Sequence, residues 1–171
     1  LKDTDGLVVD LRQYPSNSWF CLPPYFFEEP EVGLIAATIS EAVPGTFLKE
    51  PVYNFNRKPR AAYSYDKEVV VLVDEHSQSA SEYTAMLLRN GEKVTLMGEN
   101  TIGSNGFCLI LPIPGGNMVM YTAQGIYTPD GGQTQRIGVS PDIEVKRTIQ
   151  GIKEGKDEML EAAVEYIQEQ K

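Results

Sequence analysis

The stretch Glu68-Val69-Val70-Val71-Leu72-Val73 constrains this chain more than any other. Four valines and a leucine follow one another without polar alternation, which suits a central parallel strand covered on both faces and does not suit a sheet with one wet face. After the turn at residues 74–78, Ala80, Tyr83 and Leu87 recur at helical spacing and Gly91 stands as a stop, so the pattern predicts a helix over residues 79–90. Residues 93–98 then read as the next strand, and a strand-helix-strand unit of this kind crosses over with a right hand. The chain is therefore expected to be an α/β fold.

Other segments are read around that unit. Gly6-Leu7-Val8-Val9-Asp10-Leu11-Arg12 predicts a short core strand. Residues 13–30 hold Pro15, Pro23, Pro24 and Pro30 among aromatics and predict a loop. Leu34, Ala37 and Ile39 predict a short helix over residues 31–41, and residues 49–65 predict a surface excursion with one short strand. Two apolar runs, 107–112 and 118–123, flank Pro114-Gly115-Gly116-Asn117 and predict an antiparallel hairpin. Asp157 can cap a final helix whose Leu160, Ala163, Val164 and Ile167 form one stripe.

The length of 171 residues supports one core. With 15 Lys and Arg against 24 Asp and Glu, the net charge of −9 repels a phosphate backbone and argues against nucleic acid as a partner. No apolar run approaches the ~18 residues of a membrane span. Cys21 and Cys108 could pair in an oxidising compartment or be two buried thiols, the latter favoured for so few cysteines. One histidine and two distant cysteines offer no metal-ligand cluster, and no phosphate-cradling loop is present, so neither metal nor cofactor is expected. The chain begins at Leu1 within strand-like residues and is expected to be one catalytic domain taken from a longer protein.

Chemistry concentrates where the valine strand ends, in His76-Ser77-Gln78-Ser79-Ala80-Ser81-Glu82. A helix beginning there presents bare backbone amides and the positive end of its dipole, which is what an oxyanion formed in acyl transfer requires. The plain alternative is that one of the serines only caps the helix, with Glu82 completing a box with Ser79. The glycines that flank the serine of an α/β-hydrolase are absent, which disfavours that class.

Four segments in order, residues 6–12, residues 69–82, Gly98-Glu99-Asn100-Thr101-Ile102-Gly103 and Gly138-Val139-Ser140-Pro141-Asp142-Ile143, together resemble the catalytic domain of C-terminal processing (tail-specific) peptidases and the related tricorn peptidases. The resemblance implies a ClpP/crotonase-like layered core of short stacked sheets with outer helices. It implies a serine endopeptidase acting on an extended polypeptide, with Ser79 as nucleophile and the Ala80 N–H as one oxyanion donor. The second donor would come from the turn after the Asp10-Leu11-Arg12 strand, where Tyr14-Pro15-Ser16-Asn17 replaces the family's glycines, so Ser16 takes that position. The tail-specific lysine is replaced by Ser104, and the tricorn-like supporting glutamate by Gln135. Lys93 lies past the far end of the helix and is read as a solvated turn lysine. His76 is the one histidine available as a base within the chain; the better account is a histidine upstream of Leu1, which would leave this segment inactive alone. Ile102, Gly103 and Ser104, with Tyr25, Phe26 and Phe27, are the substrate-side residues so implied. The family reading also implies a cell-envelope or exported location and leaves a homo-oligomer open. Two other readings compete: a non-catalytic peptide-binding domain that keeps the fold, and a crotonase-type thioester enzyme, which lacks its glycine-rich oxyanion turn.

Overall fold

A computed structural model describes residues 1, 3–16, 21–54 and 65–170. The valine strand, β4 (Glu68–Val73), sits inside a four-stranded sheet between β1 (Gly6–Asp10) and β5 (Val94–Gly98), with the two-residue β9 (Ile143–Glu144) at the far edge. Every pairing in this sheet is parallel. Val69 through Val73 are almost completely buried, as an unbroken apolar run requires. One face packs against α1 (Ala80–Leu88), where Leu87, Leu88, Met86 and Ala85 join Val69, Val71 and Val73 in the larger core. The other face takes α3 (Glu158–Glu169) through Met159, Ala163 and Ile167 against Val70, Leu72 and Met97. A short α2 (Ile149–Glu154) precedes it, capped by Thr148 Oγ1, which accepts from Gly151 N–H.

A second, antiparallel sheet runs in the order β3 (Phe47–Tyr53), β2 (Val32–Ile39), β8 (Gln124–Tyr127). The helix expected over residues 31–41 is therefore a strand. Its β-branched Val32, Ile35, Thr38 and Ile39 fit a pleated surface with a partner on each side, and that pairing overrides the helical spacing of Leu34 and Ala37. Gly33 lets this strand touch α1: a Cβ there would lie 2.9 Å from the Leu87 Cα. The surface excursion expected at 49–65 begins as β3; residues 55–64 lie outside the described residues. The layered α/β expectation holds, with short sheets inside and helices α1 and α3 outside.

The expected hairpin forms as β6 (Cys108–Ile113) and β7 (Asn117–Thr122), paired only with each other. Every residue of both strands is exposed, including Ile110, Leu111, Met118 and Met120. Cys21 and Cys108 are free thiols, and both are exposed rather than buried; Cys108 belongs to this open ribbon. Among the described residues, no helix is long and apolar enough to cross a membrane.

At the end of β5 the sheet closes on itself very tightly. Gly98 has φ +129°, and a Cβ there would lie 2.0 Å from the Val73 carbonyl oxygen. Gly98→Ala is expected to cost on the order of 3 kcal/mol, because backbone strain and a backbone clash add. Met159→Ala, which empties part of the other core face, is expected to cost about 2–5 kcal/mol. Urea denaturation midpoints of the two variants against the parent check both.

Candidate active site

The turn between β4 and α1 is built from its own polar side chains. Asp74, nearly buried, accepts from His76 N–H at 2.9 Å, while its own N–H donates to Ser77 Oγ at 3.0 Å. Ser77 Oγ donates to the Leu11 carbonyl at 2.9 Å, and Ser81 Oγ donates to the Gln13 carbonyl at 3.2 Å. Both serines are fully buried. They fasten the end of the Asp10-Leu11-Arg12 strand alongside the turn, so two of the three hydroxyls are structural.

Ser79 is the third: half-buried, it forms with Glu82 the capping box that the sequence offers as the plain alternative. Its backbone has φ +51° and ψ −109°, a region a residue with a side chain rarely occupies and which surrounding contacts must enforce. It lines a cavity of about 240 Å³ together with Tyr14, Ser16, Ala80, Tyr83, Phe107 and Gln124. Ala80 is the first residue of α1, so the helix itself leaves its amide without an acceptor. Ser16 has φ +54°, the left-handed conformation that a glycine would adopt freely. Ser79, Ala80 and Ser16 thus border one cavity.

The remaining expected residues are placed differently. Ile102 N–H donates to the Ser77 carbonyl at 3.3 Å, and the Ser104 carbonyl accepts from Ser79 N–H at 2.7 Å, so residues 102–104 run against the nucleophile turn. Gly103, Ser104 and Gln135 line a neighbouring cavity of about 540 Å³ that shares Gln124 with the first. The Gln135 amide donates to the carbonyls of Asn105 at 2.9 Å and Gln124 at 2.7 Å. His76 Nδ1 lies 3.4 Å from Asp74 and 3.6 Å from Glu75, and His76 is not among the residues lining the Ser79 cavity. Asp74, Glu75 and His76 bring three donor atoms within 4.8 Å of one another, with the Arg147 guanidinium against both carboxylates. Phe27 is buried in the core, Phe26 meets Tyr65 edge to face at 6.2 Å, and Tyr25 closes a short 3-10 turn; none of the three lines the Ser79 cavity.

The sequence reading missed three features here. The aromatic wall of Tyr14, Tyr83 and Phe107 is assembled from three separate segments. Glu82 makes the expected box bond, its Oε2 accepting from Ser79 N–H at 3.3 Å, but it is also fully buried and reaches beyond the helix end, its Oε1 accepting from Thr101 Oγ1 at 2.6 Å and Gly103 N–H at 2.8 Å. Burial pushes its carboxyl above the usual range, against the pull of those hydrogen bonds. Asp142 accepts from Leu96 N–H and from Arg89, pinning β9 to the sheet and α1.

Residues 32–145 match the model of peptidase family S41. The chain belongs to that family. The carboxy-terminal-processing protease of Bartonella bacilliformis is 32% identical over 155 residues, covering 84% of this chain and 32% of that protein. The chain spans about a third of the length of the curated relatives it matches. Among solved structures, a proposed peptidase from Parabacteroides merdae superposes with a TM-score of 0.80 at 25% identity, covering 97% of this chain and 53% of that one. The tricorn protease superposes with a TM-score of 0.65 at 17% identity over 96% of this chain and 15% of its own, a likeness of S41 fold.

Arg12 lies two residues past β1, on the way into the Ser16 turn, and it bridges Asp10 and Asp157 at 2.7 Å each. Hydrogen bonding to Arg12 is the largest cause holding both carboxyls below their ordinary value of 3.8. Because they bind fewer protons folded than unfolded, their contribution is fully present above that value and is lost as pH falls through the lowered one. Arg12→Gln is expected to flatten the acid limb of stability below about pH 4, which denaturation midpoints measured across pH would reveal.

Proposed function

We propose that this S41 chain is the catalytic part of a serine endopeptidase of the tail-specific or tricorn-like type. Ser79 Oγ attacks the scissile carbonyl carbon, forming a carbon–oxygen bond while the carbonyl electrons move onto oxygen. The Ala80 N–H and an amide of the Ser16 turn receive that oxyanion. The Ser79 proton passes to a base and then to the leaving amine, which departs as the acyl-enzyme forms; water releases the second product by the reverse sequence. The base is a histidine outside these 171 residues, and Gln135 holds the Asn105 and Gln124 backbone that borders the site. Extended polypeptide is the substrate, its side chain beside the scissile bond entering the aromatic wall of Tyr14, Tyr83 and Phe107. An exported or cell-envelope location and a homo-oligomer belong to the same reading.

One observation carries it: of three serines in the turn, Ser77 and Ser81 are spent on backbone carbonyls, and Ser79 alone opens on a cavity at the start of a helix. A second reading, a peptide-binding domain without chemistry, is favoured by Ser104 and Gln135 standing where the family carries lysine or glutamate, and by the glycines missing after Arg12.

In the full-length protein, Ser79→Ala is expected to lower kcat/KM on an unstructured polypeptide by roughly 10⁴-fold or more and to abolish labelling by a serine-reactive phosphonate. Parent protein that binds the polypeptide, leaves it intact and takes up no phosphonate would establish the binding-domain reading instead.

A further inference from the structure

We infer that Glu82 is a positioning residue for the nucleophile: its buried carboxylate locks the Ser79 turn to the loop at residues 101–104. The inference rests on the peptidase reading of Ser79. Its basis is a closed cycle of hydrogen bonds. Ser79 N–H is shared between the Ser104 carbonyl at 2.7 Å and Glu82 Oε2 at 3.3 Å. Glu82 Oε1 holds Gly103 N–H, one residue from Ser104, and Thr101 Oγ1. Thr101 Oγ1 in turn accepts from Val139 N–H at 2.7 Å. A helix-capping glutamate needs only the bond to the N-cap amide. Here the same side chain takes two more donors from a loop about twenty residues further on, and is wholly withdrawn from water to do so.

The chemistry of the cycle demands a carboxylate. Every group directed at Glu82 is a donor, and an ionised carboxylate is acceptor-only at both oxygens. Glutamine has nearly the same shape and keeps one acceptor oxygen for Thr101 and Gly103, but it then sets an NH₂ group against Ser79 N–H, donor against donor. The strained backbone at Ser79 loses one of its two restraints while the loop clamp and the aromatic wall survive. Nucleophile placement is sensitive to small displacements, whereas ground-state contacts made by Tyr14, Tyr83 and Phe107 are not altered.

The test uses full-length protein and four variants: Ser79→Ala, Glu82→Gln, Thr101→Val and Thr101→Ser. Peptide hydrolysis and the rate of phosphonate labelling at Ser79 are read alongside melting temperature. Glu82→Gln is expected to lower kcat and the labelling rate together by roughly 10- to 100-fold while KM stays within about twofold. Thr101→Val, which removes a donor to the carboxylate, is expected to lower kcat by about tenfold, and Thr101→Ser, which restores the hydroxyl, to return most of it. If the parent is labelled at Ser79 and Glu82→Gln is labelled equally fast, the positioning role is overturned. A rise in KM at constant kcat overturns it as well. Should Glu82→Gln not fold, the valine and serine variants decide, and equal kcat in those two sinks the inference. A parent that is never labelled and is unaffected by Ser79→Ala removes the peptidase reading itself, a result distinct from either of the others.

Discussion

A backbone carbonyl and a buried carboxylate share the amide of Ser79, and the arrangement around the cavity depends on that sharing. A serine at φ +51° does not stay there on its own preferences. The conformation persists because β4 is buried in the core on one side of the turn and α1 is packed into the same core on the other. Valine after valine in the central strand therefore does more than fill space: it makes a rigid anchor against which five residues of turn can be held in a conformation they would otherwise leave.

The motifs that lie far apart in the chain meet through polar side-chain hydrogen bonds, buried at Thr101 and Glu82 and exposed at Asn100 and Arg89. Thr101 links Glu82 to Val139, Asn100 reaches the Ile137 carbonyl and Ser140, and Asp142 ties Leu96 to Arg89. Ser77 and Ser81 bring the carbonyls of Leu11 and Gln13 beside the same turn. The result is a cavity whose walls come from four segments, each bonded to the next rather than merely adjacent to it. Satisfied networks of this kind select one arrangement, because any alternative leaves buried donors unpaired.

Much of this was legible from residue pattern alone where one local signal dominated. The valine run, the helix after it, the third strand and the uncharged hairpin each carry a period or a turn signature of their own. Residues 31–41 did not, since Leu34 and Ala37 satisfy helical spacing as well as a strand does, and only the partners Phe47–Tyr53 and Gln124–Tyr127 decide between them. The two-residue β9 is likewise created by its neighbour, Met97 and Gly98, and has no pattern to read. Within the site, Ser79 and Ala80 were indicated by the strand-to-helix junction. Tyr83, Phe107 and the wider reach of Glu82 were not, because a wall assembled from three segments and a carboxylate bonded across some twenty residues exist only after the chain has folded.

The bridge from Arg12 to Asp157 spans 145 positions, and its consequence concerns the order in which a ribosome delivers this polypeptide. Arg12 is synthesised well before Asp157, so its guanidinium finds its second carboxylate only when the residues just before α3 have left the exit tunnel. Until then Arg12 has Asp10 alone of these two carboxylates as a partner. The pairing is thus a contact of the finished fold, absent from any shorter nascent stretch of this segment.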